Sequence, residues 1–231
     1  MKKISDLLVS ALLLGLGLLP ALAFFVWIER NMALPWVGAR VNWPWIFVDG
    51  GTATIALFDF GLVLLFGLLH STLVGRVPRV VYVIVAGVSA FLVMAFWQPT
   101  GIILYHLIPS MKASTVVSVA LYWSLLLIAF RALARAESPA RFIGLEDGAC
   151  ARPSRLWTEG LYGRVRHPLY LLTFAAWILA PMMSLDRLVF ILGMATYVTF
   201  AVRREERRMV AEFGDVYRAY QARVPMLIPR T

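Results

Sequence analysis

Six long runs of apolar residues dominate this chain of 231 residues. They cover residues 7–28, 54–75, 80–97, 115–130, 169–183 and 187–202. A helix needs about 20 apolar residues to cross the hydrocarbon core of a bilayer. The last two runs are shorter than this, so they either extend into their flanks or form a compact hairpin packed against the other helices. Every backbone N–H and C=O inside a bilayer must be hydrogen-bonded within the protein, and helices achieve this locally. The runs therefore predict an all-α integral membrane protein with about six transmembrane helices.

The composition agrees with this class. Hydrophobic residues make up 61% of the chain and charged residues 15%, whereas soluble domains have roughly 45–50% and 25%. Little of the chain is left for a separate soluble domain. We predict one membrane domain over residues 1–231, with an N-terminal four-helix part (1–135) and a C-terminal part (136–231). The single cysteine, Cys150, excludes an internal disulfide.

The basic residues are distributed unevenly among the loops. If the N-terminus is cytoplasmic and the six runs alternate, 18 of the 22 Lys and Arg residues lie on the cytoplasmic side. Cytoplasmic loops of membrane proteins carry such an excess. The distribution predicts that both termini are cytoplasmic, and we expect a bacterial inner-membrane location. It also explains the net charge of +9 without a nucleic-acid partner.

Two ionisable residues, Asp59 and His70, interrupt the second apolar run. They are eleven residues apart, close to three helical turns, so they share a face but lie about 16 Å apart along the axis. Asp59 is predicted to be a structural pairing partner. For His70 two interpretations stay open: a packed histidine bonded to a neighbouring helix, or a site residue near the cytoplasmic surface.

The segment "GRVRHPLY", residues 163–170, places basic groups directly before the fifth run. Pro168 suits the first position of a helix, where its missing N–H costs nothing, and this puts His167 at the N-cap. A helix N-terminus has free N–H donors and a partial positive charge, so it attracts anions. The segment is either a site for a carboxylate or phosphate or an ordinary cytoplasmic flank.

The segment "RREERRMVAEFGDVYRAYQARVP", residues 203–225, follows the sixth run. Its periodicity predicts one amphipathic cytoplasmic helix with an aromatic face. Glu205 and Glu206 form a carboxylate pair that either belongs to a solvated face or holds an ammonium group. Together with the cationic segment before Pro168, this pair suits a zwitterionic amino-acid headgroup.

At this point the sequence resembles a known superfamily. "LYGRVRHPLY", followed about 35 residues later by "EERRMVAEFGDVYRAYQARVPMLIP", is similar to the isoprenylcysteine carboxyl methyltransferase and phospholipid methyltransferase superfamily of membrane enzymes. The resemblance covers roughly residues 155–230. "LLFGLLHSTLVGR" and "APMMS" also resemble the methanethiol S-methyltransferase branch.

The resemblance implies a methyltransferase that uses S-adenosylmethionine and no metal. Carried over onto this sequence, its cofactor pocket comprises Tyr162, Arg166, His167, Pro168, Tyr170 and one glutamate of the pair Glu205 and Glu206. Its acceptor side comprises Arg203, the other glutamate and Tyr217. The sequence leaves open which glutamate contacts the cofactor, with Glu206 taken for the cofactor and Glu205 for the acceptor as the starting assignment. We add the hypothesis that His70 orients or deprotonates a thiol. The methyl acceptor is a small or lipid-like molecule: a thiol, an isoprenylcysteine carboxylate or, as an alternative, a phospholipid amine. Two other classes stay open, namely an NADPH-dependent sterol-reductase-like enzyme and a non-catalytic membrane assembly factor.

Overall fold

The computed structural model describes residues 12–20, 22–24, 27, 48, 50–74, 76–107, 113–136 and 156–229, and these are mostly helical. After a π-helical segment, Leu13–Leu18, the elements in chain order are α1 Thr52–Leu73, α2 Arg79–Phe96, β1 Ile103–His106, α3 Ala113–Ala136, a 3₁₀ turn Gly160–Gly163, α4 Pro168–Ile178, β2 Met182–Ser184, α5 Leu185–Phe213 and α6 Asp215–Arg223. The predicted helical class is confirmed. Cys150 lies outside the described residues.

Two of the described helices, α1 and α5, are long and apolar enough to cross a membrane. Shorter apolar helices cover Gly15–Phe24, Val80–Phe96, Val116–Ala132 and Pro168–Ile178. Each predicted apolar run therefore contains a helix. The predicted count of six crossings remains a prediction.

The C-terminal region contains two helices where the sequence predicted one. The apolar part of α5 ends at Val202, and the charged remainder continues to Phe213. Gly214 then has φ +57°, a left-handed conformation that glycine adopts without a Cβ clash. Gly214 ends α5, and α6 begins at Asp215, so the prediction of a single continuous helix was wrong.

The chain divides into two compact units. The first comprises Met1–His106, Ala140–Cys150 and Met182–Tyr197, and the second comprises Leu107–Pro139, Ala151–Pro181 and Val198–Thr231. In the first, α1 packs on α2, and β1 pairs with β2 in an antiparallel ladder. In the second, α3 packs on α4, and the Ser118 hydroxyl donates to the Leu179 carbonyl at 2.8 Å. The predicted division of the chain into an N-terminal part (1–135) and a C-terminal part (136–231) remains a prediction.

Asp59 has the structural role that its position in an apolar helix predicted. Its side chain is buried, and its Oδ1 accepts a hydrogen bond from the backbone N–H of Gln98 at 3.0 Å. Gln98 follows α2, so this carboxylate holds the end of α2 against α1. Tyr105 and His106 lie in β1, opposite Met183 and Met182.

Small residues allow the helices of the first unit to approach closely. A Cβ on Gly193 would lie 2.9 Å from Cβ of Val63, and a Cβ on Gly67 would overlap Cγ and Cδ2 of the Tyr197 ring. Helix contacts in membranes depend on such close backbone approach. Gly61 of the same helix has open space around the Cβ position.

We predict that Gly67→Ala lowers the free energy of unfolding by about 1–3 kcal/mol, because the Tyr197 ring must move to admit the methyl group. The matched control is Gly61→Ala, which should leave stability equal or raise it by up to about 1 kcal/mol through helix propensity. Thermal unfolding of the two variants in detergent measures the difference. Equal unfolding midpoints would contradict the close contact.

Candidate functional site

The segment before α4 and the segment after α6 lie side by side in the second unit. The backbone N–H of Arg166 donates to the Pro225 carbonyl at 2.9 Å, and that of His167 donates to the Met226 carbonyl at 3.1 Å. Pro168 occupies the first turn of α4 and His167 is its N-cap, as predicted. These contacts bring the two polar segments of the sequence together.

Arg166 and Glu206 form a bidentate ion pair at this junction. Nε of Arg166 donates to Oε1 of Glu206 at 2.6 Å, and Nη2 donates to Oε2 at 3.1 Å. The side chains are only 10% and 13% exposed, so both charges are largely removed from water. Parallel N–H···O bonds of this kind fix the orientation of both groups.

The remaining donors of Arg166 bind the end of α6. Nη1 donates to the Gln221 carbonyl at 3.0 Å and also to the Val224 carbonyl. The last carbonyls of a helix have no partner within the helix, and a guanidinium can satisfy them. One side chain therefore ties together the segment before α4, helix α5 and the end of α6.

Glu206 also accepts bonds from two other side chains. Nε2 of Gln221 donates to Oε2 at 3.0 Å, and Nε2 of His167 lies 3.1 Å from Oε1. Burial acts to raise the pKa of Glu206, but the hydrogen bonds from Arg166 and His167 outweigh it and hold the pKa below its usual value. An ionised carboxylate only accepts, so Nε2 of His167 carries the proton in this bond.

Glu205 occupies a different environment from its neighbour. Its side chain is 39% exposed, and its Oε2 lies 3.9 Å from Nδ1 of His167. That distance is too long for a hydrogen bond. The His167 ring stacks on Tyr170, with ring centres 5.9 Å apart, so the imidazole is held between α5 and the first turn of α4.

Tyrosine side chains form the wall next to this polar cluster. Tyr217 and Tyr220 are buried with Val224, packed against Leu156, Met209, Val210 and Phe213. The Tyr220 hydroxyl donates to the carbonyl of Tyr162, which fixes the 3₁₀ turn on α6. Burial raises the pKa of Tyr220 to about 12. Burial, followed by the charge of Glu206, raises the pKa of Tyr217 as well, so both hydroxyls stay protonated near neutral pH.

An open cavity of about 490 Å³ adjoins the cluster, lined by Arg203, Glu206, Arg207, Val210 and Gln221. Arg203 and Arg207 lie one turn apart on α5 and are both exposed. The cavity places exposed cationic groups beside the neutralised Arg166–Glu206 pair. The cavity therefore offers positive charge to an anionic group of a ligand.

Most of the residues predicted for a site lie in this one unit: Tyr162, Arg166, His167, Pro168, Tyr170, Arg203, Glu205, Glu206 and Tyr217. His70 lies in the other unit, where its ring shares a hydrogen bond with the Tyr82 hydroxyl and meets the Tyr197 ring edge-on at 6.2 Å. The packed interpretation of His70 therefore has a named partner on the neighbouring helix. Sequence reasoning missed Gln221 and Tyr220. The only signal for them was their position on the aromatic face of the C-terminal region.

Comparison with known proteins finds relatives that are all named as methyltransferases. The chain is 29% identical to methanethiol S-methyltransferase 1 of Bradyrhizobium diazoefficiens, over 78% of this chain and 69% of that protein. It is 28% identical to methanethiol S-methyltransferase of Crocosphaera subtropica, over 76% and 75%. Protein-S-isoprenylcysteine O-methyltransferase of Schizosaccharomyces pombe is 37% identical over 32% of this chain and 33% of its own length. No family model matches, and no solved structure matches.

We predict that Arg166→Gln destabilises the protein by about 3 kcal/mol, because it leaves Glu206 without its buried cationic partner. Arg218→Gln is the matched control: Arg218 and its partner Asp215 are 61% and 94% exposed, so its loss should cost less than about 1 kcal/mol. Thermal unfolding in detergent compares the two. Equal effects of the two substitutions would show that Arg166 does not organise this unit.

Proposed function

We propose that this chain, a member of the isoprenylcysteine carboxyl methyltransferase-like superfamily, is a membrane methyltransferase that transfers a methyl group from S-adenosylmethionine to a thiol. One observation carries the proposal: the "RHPLY" and "EE" segments, which the superfamily shares, meet at His167 and Glu206 at 3.1 Å. The thiol is favoured because the relatives named methanethiol S-methyltransferase match most of the chain. An isoprenylcysteine carboxylate is the second candidate, favoured by the shorter match to the enzyme named for it.

The residues present fit S-adenosylmethionine. The amino-acid end of this cofactor carries an ammonium and a carboxylate, and the cluster offers the carboxylates of Glu205 and Glu206 together with the exposed cations of Arg203 and Arg207. When bound, the cofactor supplies a methyl group on a positively charged sulfur, which a nucleophile can attack directly. The pocket carried over by resemblance comprises Tyr162, Arg166, His167, Pro168, Tyr170 and one of the two glutamates, Glu205 and Glu206.

The protein's own contribution is to position the methyl donor and the acceptor and to exclude water from them. Holding the two reactants in a near-attack geometry lowers the activation barrier of methyl transfer by up to roughly 7–11 kcal/mol. The thiolate is the reactive form of a thiol, so the acceptor must lose its proton. The protonated hydroxyl of Tyr217 is suited to donate a hydrogen bond rather than to take that proton. We assign the acceptor side to Arg203, Tyr217 and whichever of Glu205 and Glu206 does not contact the cofactor. The hypothesis that His70 is the base for a thiol is kept as a separate prediction.

The membrane arrangement completes the proposal. The basic residues of the cluster follow the apolar part of α5, which ends at Val202. With both termini cytoplasmic and about six crossings, the cluster faces the cytoplasm, where the cofactor is available. An apolar acceptor can then reach the protein through the bilayer. We expect the inner membrane of a bacterium as the location.

We predict that the detergent-purified protein transfers the labelled methyl group of S-adenosylmethionine to methanethiol. His167→Ala should reduce this transfer at least tenfold, because it removes the imidazole that Glu206 orients. N-acetyl-S-farnesylcysteine, tested in parallel, reports transfer to a carboxylate. Absence of transfer to either acceptor, from folded wild-type protein that binds NADPH, would overturn the proposal in favour of a reductase.

We predict that His70→Gln slows transfer to a thiol by about 100-fold, the usual contribution of a general base, while the affinity for S-adenosylmethionine is unchanged. His106→Gln, at an exposed position of β1, is the control and should keep wild-type turnover. Turnover at saturating cofactor and calorimetric binding separate the two quantities. Wild-type turnover in the His70→Gln variant would return His70 to a packing role with Tyr82.

A further inference from the structure

The charged end of α5 marks the level of the membrane surface in the second unit. The apolar part of α5 ends at Val202, and Glu206 follows about one helical turn later. Charged side chains are costly in the hydrocarbon core of a bilayer. The first charged turn of a helix that leaves the core therefore lies among the lipid headgroups.

Hydrogen bonds hold the chain after α6 at this same level. Arg166 pairs with Glu206 at 2.6 Å, and the backbone N–H of Arg166 donates to the Pro225 carbonyl at 2.9 Å. The backbone N–H of His167 donates to the Met226 carbonyl at 3.1 Å. The segment that follows α6 therefore starts at the membrane surface instead of extending away from it.

Apolar side chains are exposed at this level. Ile228 is 79% exposed and Met226 is 37% exposed. Trp157 is 36% exposed, and its neighbour Leu156 packs against the buried cluster that contains Val224. Tryptophan is enriched at membrane–water interfaces, and apolar side chains at a membrane surface are buried among the lipids. We name Trp157, Met226 and Ile228 the apolar patch.

Exposed guanidinium groups flank the apolar patch. Arg164 lies two residues before Arg166, and Arg223 directly precedes Val224, whose carbonyl binds Arg166. A planar guanidinium matches the geometry of a phosphate group. Glu159 is also exposed on the segment that leads to Arg164, so the two arginines leave a surplus of one positive charge. This charge complements the phosphates of a lipid surface.

We propose that the apolar patch, with Arg164 and Arg223, docks on the phospholipid surface of the membrane that α5 enters. Met226 and Ile228 insert at the boundary between headgroups and acyl chains, and the two guanidinium groups bind lipid phosphates. The inference involves no cofactor and no methyl acceptor, so it holds independently of the proposed function.

A fluorophore at position 228 reports which medium surrounds the patch. The chain has a single cysteine, so Cys150→Ser combined with Ile228→Cys provides one labelling position for bimane. Cys150→Ser combined with Val216→Cys is the matched control, because Val216 is 67% exposed at the other end of α6. The labelled full-length proteins are placed in phosphatidylcholine nanodiscs with or without lipids brominated near the headgroup end of the acyl chains. Both should unfold at the wild-type midpoint.

Brominated lipid should quench the label at position 228 and spare the label at position 216. We expect a loss of about half of the emission at position 228, since interfacial apolar groups are buried about 5–10 Å into the headgroup and acyl boundary. Acrylamide, which quenches from water, should act in the opposite order. This pair of measurements distinguishes insertion into lipid from exposure to solvent.

The choice of headgroup tests the two arginines. Quenching at position 228 by brominated phosphatidylglycerol, relative to brominated phosphatidylcholine, gives the ratio of their affinities at the patch. We expect a ratio of about five, the contribution of one surplus basic charge near an anionic surface. Arg164→Gln combined with Arg223→Gln should reduce the ratio to one or below. High salt should also lower the ratio without removing the quenching, because salt screens charges and leaves apolar contacts in place.

Three outcomes would overturn the proposal. Equal quenching of the two labels by acrylamide, with none by brominated lipid, would place the patch in water. Protection of position 228 from both quenchers would show that a second copy of the chain or another protein segment covers the patch. A lipid ratio that the double arginine substitution leaves unchanged would remove Arg164 and Arg223 from the docking surface.

Discussion

The buried ion pair between Arg166 and Glu206 is the contact on which the second unit depends. It joins three segments that the chain places far apart: the approach to α4, the charged end of α5 and the last turn of α6. Removing two charges from water is costly, and the attraction between them repays the cost only when the remaining donors and acceptors are also bonded. The structure meets that condition with the amide of Gln221, the imidazole of His167 and two helix carbonyls. Folding of this unit and shaping of the polar cluster are consequently one event.

The pair also changes the electrostatic meaning of the sequence. In the sequence alone, the segment before α4 is a basic stretch at a helix N-terminus. The segment after the sixth apolar run contains a pair of glutamates surrounded by arginines. In the folded unit Arg166 and Glu206 cancel each other. What remains for a ligand is one half-exposed carboxylate on Glu205 and the exposed guanidinium groups of Arg203 and Arg207. Separated charges of both signs suit a zwitterionic ligand better than the simple anion that the basic helix N-terminus alone indicated.

Local chemistry explains which features the sequence could predict. Apolar runs specify helices because backbone groups in a bilayer have no other partners, and Pro168 marks the start of α4 because its ring fits only the first turn. The break at Gly214 was missed because a periodic apolar face continues across it, and periodicity does not report a positive φ. The β1–β2 pair was missed because four- and three-residue strands between apolar helices leave no alternation to read. The role of Gln221 depends on a contact with a residue 15 positions earlier, across a turn that the sequence did not reveal.

Adjacent glutamates on one helix are commonly treated as equivalent, and here the backbone makes them different. A rotation of about 100° per residue turns Glu206 toward Arg166 and leaves Glu205 partly exposed on the adjoining face of α5. All the acceptor capacity of the buried carboxylate is used by the protein, and its bond to Nε2 of His167 orients the imidazole ring. The carboxylate of Glu205 is 39% exposed and approaches Nδ1 of His167 only to 3.9 Å. One helical step thus separates a carboxylate that organises the fold from one that solvent can reach.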